Sequence, residues 1–213
     1  ELSNSRVINR ATFIIDLSQN EEEIWRNFDK KLRNSIRKAE KEKVSIEEIK
    51  DKKELNIYYS LSLKTQEEIR NKKGRKSFSI PLFTFFEEIF KNNGGKFLVA
   101  KLDGEIIAGA LFLFNKDKAV YFQSFSSRAN AEKQAPSLIQ WEAIKKFKNL
   151  GVKEYDLGGV TLELNKDDSR FFVYEFKRKF NGELKKFCNI EIEINKWKKI
   201  QDFIIGATYG KTI

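Results

Sequence analysis

The residues best placed to do chemistry are an aspartate at a strand end, the glycine pair after it, and a basic cluster on the next helix. Asp156 stands in GVKEYDLGG, just ahead of Gly158 and Gly159. A carboxylate there could take a proton as a general base, while capping or turn formation is the plainer use of an aspartate beside glycines. Gly158 and Gly159 permit a tight turn and close backbone approach. Lys177, Arg178 and Lys179 follow in FKRKF, where phosphate contact competes with simple solvation as the reason for the charge. The absences narrow the chemistry further. The chain has no histidine, which excludes Ser-His-Asp triads, histidine general bases and His-containing zinc sites. Its one cysteine, Cys188, cannot form an internal disulfide and fits a reducing compartment. In the strand-like run KKFCNIEIEI it is expected to be a buried, inert thiol.

The elements that must position these groups centre on residues 135–159, a helix feeding a short buried strand. Pro136 suits a helix start, Leu138, Ile139, Ala143, Ile144, Phe147 and Leu150 recur at helical spacing, and Gly151 closes the helix. Trp141 is expected in the core. Open α/β sheets place ligands at strand ends facing helix starts, so the cleft is sought at the end of strand 152–157. Upstream, KFLVAKL, EIIAGALFLF and AVYFQSF are joined by Asp103-Gly104 and NKDK, which predicts an antiparallel meander. Residues 12–17 read as a strand, and Ser18 with Glu21 fits a capping box. One long helix then runs to about Lys43, with Ile24, Trp25, Phe28, Leu32, Ile36 and Ala39 as its apolar seam. A short strand at 44–49, a helix at 54–70, a basic loop at 71–76 and a helix at 81–90 precede the meander. A helix at 171–180, a strand at 184–194 and a terminal helix at about 195–209 end the chain. With no repeat and no long linker, the expectation is one α/β domain over residues 1–213 with a mixed, mainly antiparallel sheet.

Charge bounds the partners. Lysine plus arginine number 41 against 31 acidic residues, a net +10 with pI near 9.5. That balance favours nucleic acid, phosphorylated substrates or an anionic membrane face, with a lysine-rich background composition as the plainer source. On the first long helix, Lys30, Lys31, Arg33, Arg37, Lys38, Lys41 and Lys43 lie off the apolar seam, as a solvated surface or as a phosphate or RNA contact. Phenylalanine is abundant (19) and methionine absent, so aromatic packing must fill much of the core. No run is long enough to span a membrane and no signal peptide opens the chain. A soluble, cytoplasmic protein is expected, with the inner face of the membrane as a further location.

A meander followed by helix, strand and helix resembles the acyltransferase fold of the Gcn5-related (GNAT) superfamily. The loop that there carries glycines for the coenzyme A pyrophosphate is SSRANAEKQAPS here, without glycine. Several segments resemble instead the Fem-type (FemABX) aminoacyltransferases that build peptidoglycan interpeptide bridges. They are TFIIDLSQNEEEIWRNFDKKLRNSIRKAEKEKV, YFQSFSSRANAEKQAPSLIQWEAIKKFKNLGVKEYDLGGV and FKRKFNGE, in the family's order and over most of the chain. The resemblance implies a GNAT-like fold and transfer of an amino acid from aminoacyl-tRNA to an amine of a cell-wall precursor, nucleotide- or lipid-linked. It implies no cofactor beyond aminoacyl-tRNA as co-substrate. Family members use two such domains, and this chain resembles the second, so a first domain or second subunit is a further expected partner.

Residue by residue, Lys177 matches the lysine that the family places near the substrate phosphates and the reacting ester. Tyr121 and Ser126 match the strand facing the precursor. Gln123 stands where a tyrosine is usual, implying an altered substrate contact. Arg178 is a candidate phosphate contact and Asp156 a candidate acceptor of the amine's proton. Arg33, Arg37 and Lys38 are candidate tRNA or phosphate contacts, and no metal site is expected. The chemistry agrees: moving an acyl group from ester to amine needs a neutral amine held close and stabilisation of the oxyanion, neither of which requires histidine. Two other readings stand beside this one, an acyl-CoA-dependent N-acyltransferase acting on a polysaccharide or small amine, and a non-catalytic RNA-binding domain.

Overall fold

Asp103 and Gly104 both take positive φ, 50° and 85°, the twist that a two-residue hairpin turn demands. That turn anchors the sheet seen in the computed structural model, which describes residues 5–70, 80–162 and 168–192. In chain order the elements are β1 (Ser5–Asp16), α1 (Glu21–Asn27), α2 (Lys30–Lys41), β2 (Ser45–Glu48), α3 (Lys52–Arg70) and α4 (Phe83–Lys91). Then come β3 (Gly95–Leu102), β4 (Glu105–Phe114), β5 (Lys118–Ser126), a 3-10 turn (Arg128–Lys133) and α5 (Ala135–Asn149). The rest are β6 (Glu154–Asp156), β7 (Val160–Thr161), α6 (Ser169–Arg178) and β8 (Glu183–Ile192). The strands order as β2-β3-β4-β5-β6-β1-β7, with β8 on β1. Every pairing is antiparallel except β5 with β6. This is the mixed, mainly antiparallel sheet flanked by helices that the sequence predicts.

Strand alternation distributes side chains to two cores. On β3, Leu98 and Ala100 join the core under α1, α2 and α5, while Phe97 and Val99 join the one under α3 and α4. Both faces being covered, β3 and β4 read as nearly continuous apolar runs. The aromatic filling is visible on the first face: Phe28 meets Trp141 at 5.5 Å and Phe180 at 5.3 Å, both edge-on. Trp141 is 6% exposed, in the core as expected.

Several expectations are corrected. The helix expected to run to Lys43 is two helices. Phe28 is extended (φ −63°, ψ 144°), and Asp29 restarts the chain by capping Lys31 N–H. The Asp29 N–H itself donates to the Lys179 carbonyl at 2.8 Å, so the break ties α2 to the end of α6. The capping box belongs to Asn20 and Glu23, not Ser18 and Glu21; the Ser18 N–H instead donates to Asp16 Oδ1. β1 starts earlier than residue 12 because β8 pairs along its whole N-terminal half. Cys188 is exposed rather than buried, since among the described residues β8 pairs with β1 alone. The basic loop at 71–76 and the terminal helix at 195–209 lie outside the described residues.

Two irregularities shape the middle of the sheet. Leu111 pairs with Gln123 but Phe112 with Tyr121, so Phe122 is an extra residue, a β-bulge that re-aims the side chains beyond it. β5 and β6 run in parallel only from Lys118–Val120 against Glu154–Asp156. β5 then continues to Ser126 while the other chain turns away at Gly158 (φ 76°), and the two diverge.

Gly109, on β4 opposite Phe125, shows how tightly the α3 face is filled. A Cβ there would lie 2.5 Å from Phe125 Cε1 and 2.8 Å from Tyr58 Cε2. Gly109→Ala is expected to destabilise the fold by about 1–3 kcal/mol through overpacking, read as a lower midpoint in urea unfolding; an unchanged midpoint would show that these rings yield freely.

Candidate active site at the divergence of two strands

Asp168 caps α6 by accepting the Arg170 N–H at 2.8 Å, and the helix lays Tyr174, Phe176 and the following Phe180 against the core. Lys177 shares that inward side, so a helix otherwise amphipathic carries one ammonium into the interior; it is only 7% exposed. Its Nζ donates to the carbonyls of Gly158 (3.1 Å) and Gly159 (3.2 Å) and lies 5.6 Å from the Tyr121 ring centroid. An ammonium has three donors, and these carbonyls use two. Burial pushes the Lys177 pKa down to about 8, against the negative charge of Asp156, which favours the protonated form.

The carbonyls are available because of the glycines. Gly158 takes a left-handed φ of 76°. A Cβ on it would lie 2.7 Å from the Tyr121 carbonyl oxygen and 3.4 Å from Lys177 Nζ. Asp156 shapes the same turn: its Oδ1 accepts the Gly158 N–H at 2.8 Å and the Thr12 hydroxyl. The turn role is therefore real, and both of these bonds fall on one carboxylate oxygen, leaving Oδ2 without a partner among the described residues.

The structure thus gathers Lys177, Tyr121 and Asp156 at the β5–β6 divergence. Tyr121 donates its hydroxyl to Ser124 Oγ, and strand alternation puts Ser126, half-buried at the end of β5, on that same side. Gln123 is turned to the opposite face by the bulge, where its Oε1 accepts from the buried Tyr58 hydroxyl at 2.6 Å. Arg178 is exposed and paired with both carboxylate oxygens of Glu175 at 2.9 Å. Arg33 donates to the carbonyls of Arg26 and Phe28, closing the end of α1. Arg37 lies 5.5 Å over the Trp25 ring, and Lys38 is exposed. Sequence reasoning misses Thr12, Ser124, Tyr58 and the two glycine carbonyls. A lone threonine among apolar residues of β1 is the only sequence signal for any of them. Among the described residues no group of three or more acidic, cysteine or histidine side chains could hold a metal. Surface depressions of about 340 Å³ beside β2 and 580 Å³ beside the start of β8 both lie away from Lys177.

Comparison with known proteins gives these residues a context. The model of the FemAB family matches residues 3–105 and again 100–198. No curated protein matches the chain. Among solved structures, FemX superposes with a TM-score of 0.70 at 17% identity, covering 91% of this chain and 63% of FemX. L-PGS from Bacillus licheniformis gives 0.61 at 15% identity, covering 98% of this chain and 68% of that one. The C-terminal domain of a putative lysylphosphatidylglycerol synthetase from Agrobacterium fabrum also gives 0.61 at 15%, covering 95% and 66%. At such identities the likeness is one of fold. The chain spans less than two-thirds of FemX.

The depressed pKa makes Lys177 visible in stability. Below about pH 8 the fold carries a buried ammonium that the unfolded chain would hydrate; between about 8 and the ordinary lysine value of 10.5 the unfolded state binds more protons, so this group's contribution rises with pH. Lys177→Met is expected to remove that rise. Wild-type and variant unfolding free energies measured from pH 7 to 10.5 should differ by a pH-dependent amount on the order of 2–3 kcal/mol across the window. A constant difference would contradict the burial of the charge.

Proposed function

Because the chain belongs to the FemAB family, we propose that it moves an amino acid from aminoacyl-tRNA to an amine of a cell-wall precursor peptide. The observation that carries this reading is the buried Lys177 ammonium, held between two glycine carbonyls where β5 and β6 part. An ester carbonyl placed there would meet the third Nζ donor as the acceptor amine attacks. The C–N bond forms, negative charge gathers on the carbonyl oxygen, and Lys177 stabilises it in a site with little water. Asp156 Oδ2 takes the proton that the amine releases and passes it to the ribose oxygen as collapse breaks the C–O bond, so that oxygen leaves as a hydroxyl. Arg37 and Lys38 on α2 supply basic charge toward the tRNA; Arg33 serves chiefly to close α1.

The structure offers little to an acyl-CoA reading. At the start of α5, where a pyrophosphate would seek free N–H groups, Ala135 and Ser137 are buried and the Ser137 N–H already donates to the Gln134 carbonyl. The likeness to a putative lysylphosphatidylglycerol synthetase makes a lipid headgroup hydroxyl the competing acceptor.

The test is transfer of labelled amino acids from a mixed aminoacyl-tRNA pool, with wall-precursor peptides and phosphatidylglycerol offered separately. Transfer to the peptide is expected, falling about 100-fold or more in Lys177→Ala while circular dichroism shows the fold retained. Equal transfer by the variant would remove Lys177 from the site. Transfer only to the lipid would replace the acceptor, and acyl-CoA turnover without transfer from tRNA would overturn the reading.

A further inference from the structure

We propose that the buried hydrogen bond from Tyr58 to Gln123 is the device that positions Tyr121 beneath Lys177, making Tyr58 and Gln123 positioning residues rather than substrate contacts. The inference rests on Lys177 being the catalytic group. Strict alternation along β5 would put residues 119, 121, 123 and 125 on one face. The extra residue Phe122 breaks it. Ala119 and Tyr121 pack with the core under α5, whereas Phe125 packs under α3, and Gln123 reaches Tyr58 there.

A bulge forfeits ladder bonds, so something must hold it in register. Gln123 does this from both ends of its amide: Oε1 accepts from Tyr58 at 2.6 Å, and Nε2 donates to the Ser124 carbonyl at 3.3 Å. Tyr58 is a rigid anchor. It is 0% exposed, and its ring is edge-on to Phe97 (5.3 Å) and Phe125 (5.1 Å). Burial raises its hydroxyl well above the ordinary tyrosine value, so it stays a donor at any working pH.

The other side of the bulge is the site. Tyr121 stacks on Phe112 at 5.6 Å and 29°, and bonds Ser124. Its ring faces Lys177 Nζ and its carbonyl abuts Gly158. A slip of one residue at Phe122 would carry Tyr121 to the wrong face, opening the notch to water around Lys177.

The readout that separates positioning from mere stability is the amine itself. Acylation of Lys177 by a small reagent, followed by mass spectrometry across pH, needs no substrate. In Gln123→Met and Tyr58→Phe the labelling midpoint is expected to rise from about 8 toward the ordinary lysine value as water enters. Gln123→Glu, which keeps an acceptor for Tyr58 but loses the donor to the Ser124 carbonyl, should restore it in part. In the transfer assay kcat should fall roughly tenfold or more in the first two variants with KM little changed. The buried Ser62 hydroxyl lies beside Tyr58 as a second acceptor, so the Tyr58 hydroxyl is not orphaned in Gln123→Met, and that variant reports even where Tyr58→Phe fails to fold. Wild-type midpoints in the folded variants would overturn the proposal. Shifted midpoints in a protein with no transfer activity would uphold the brace and sink the functional reading instead.

Discussion

Taking an ammonium out of water costs several kcal/mol unless its donors are satisfied where it comes to rest. Among the described residues no carboxylate bonds it; two glycine carbonyls and the face of a tyrosine do. Those carbonyls can converge only because Gly158 adopts a left-handed turn against the Tyr121 backbone. Asp156 in turn holds that turn by its N–H, and Thr12 holds Asp156. The cost of the buried charge thus dictates the backbone from Asp156 to Gly159, the ring beneath it, and the helix that delivers it.

The rest of the fold supplies rigidity to this arrangement. Helices α1, α2 and α5 cover one face of the sheet and α3 and α4 the other, so β4 and β5 are clamped from both sides. The break between α1 and α2 serves the same end. Phe28 packs on Phe180 and Asp29 bonds Lys179, seating the C-terminal end of α6 within three residues of Lys177. A site that has to meet a developing negative charge gains from such preorganisation, because its donors need not move as the reaction proceeds.

Much of this was legible in the sequence, and the exceptions have physical causes. Alternation and Asp103-Gly104 mark the meander; Pro136 and Gly151 mark both ends of α5. Lys177 stood out through the motif around it, since composition alone would leave it a surface lysine. The helix break at Phe28 was hidden because Ile24, Phe28, Leu32 and Ile36 keep a four-residue spacing straight through it. Ser18-Glu21 and Asn20-Glu23 are overlapping capping patterns, and only the backbone chooses between them. Cys188 misled because a run such as KKFCNIEIEI suits a covered strand, whereas β8 is exposed from Lys185 to Ile190. The bulge at Phe122 is a property of β5 paired with β4, absent from either strand alone, so the diversion of Gln123 to Tyr58 could not be read from β5 by itself.

The most direct test is a crystal structure with a hydrolysis-resistant aminoacyl-RNA analogue, an amide replacing the ester. The account predicts the amide carbonyl oxygen about 3 Å from Lys177 Nζ, on the third donor, with Asp156 Oδ2 facing the open side of that carbonyl. An analogue seated elsewhere, with Lys177 still closed on Gly158 and Gly159, would show the buried amine to be structural.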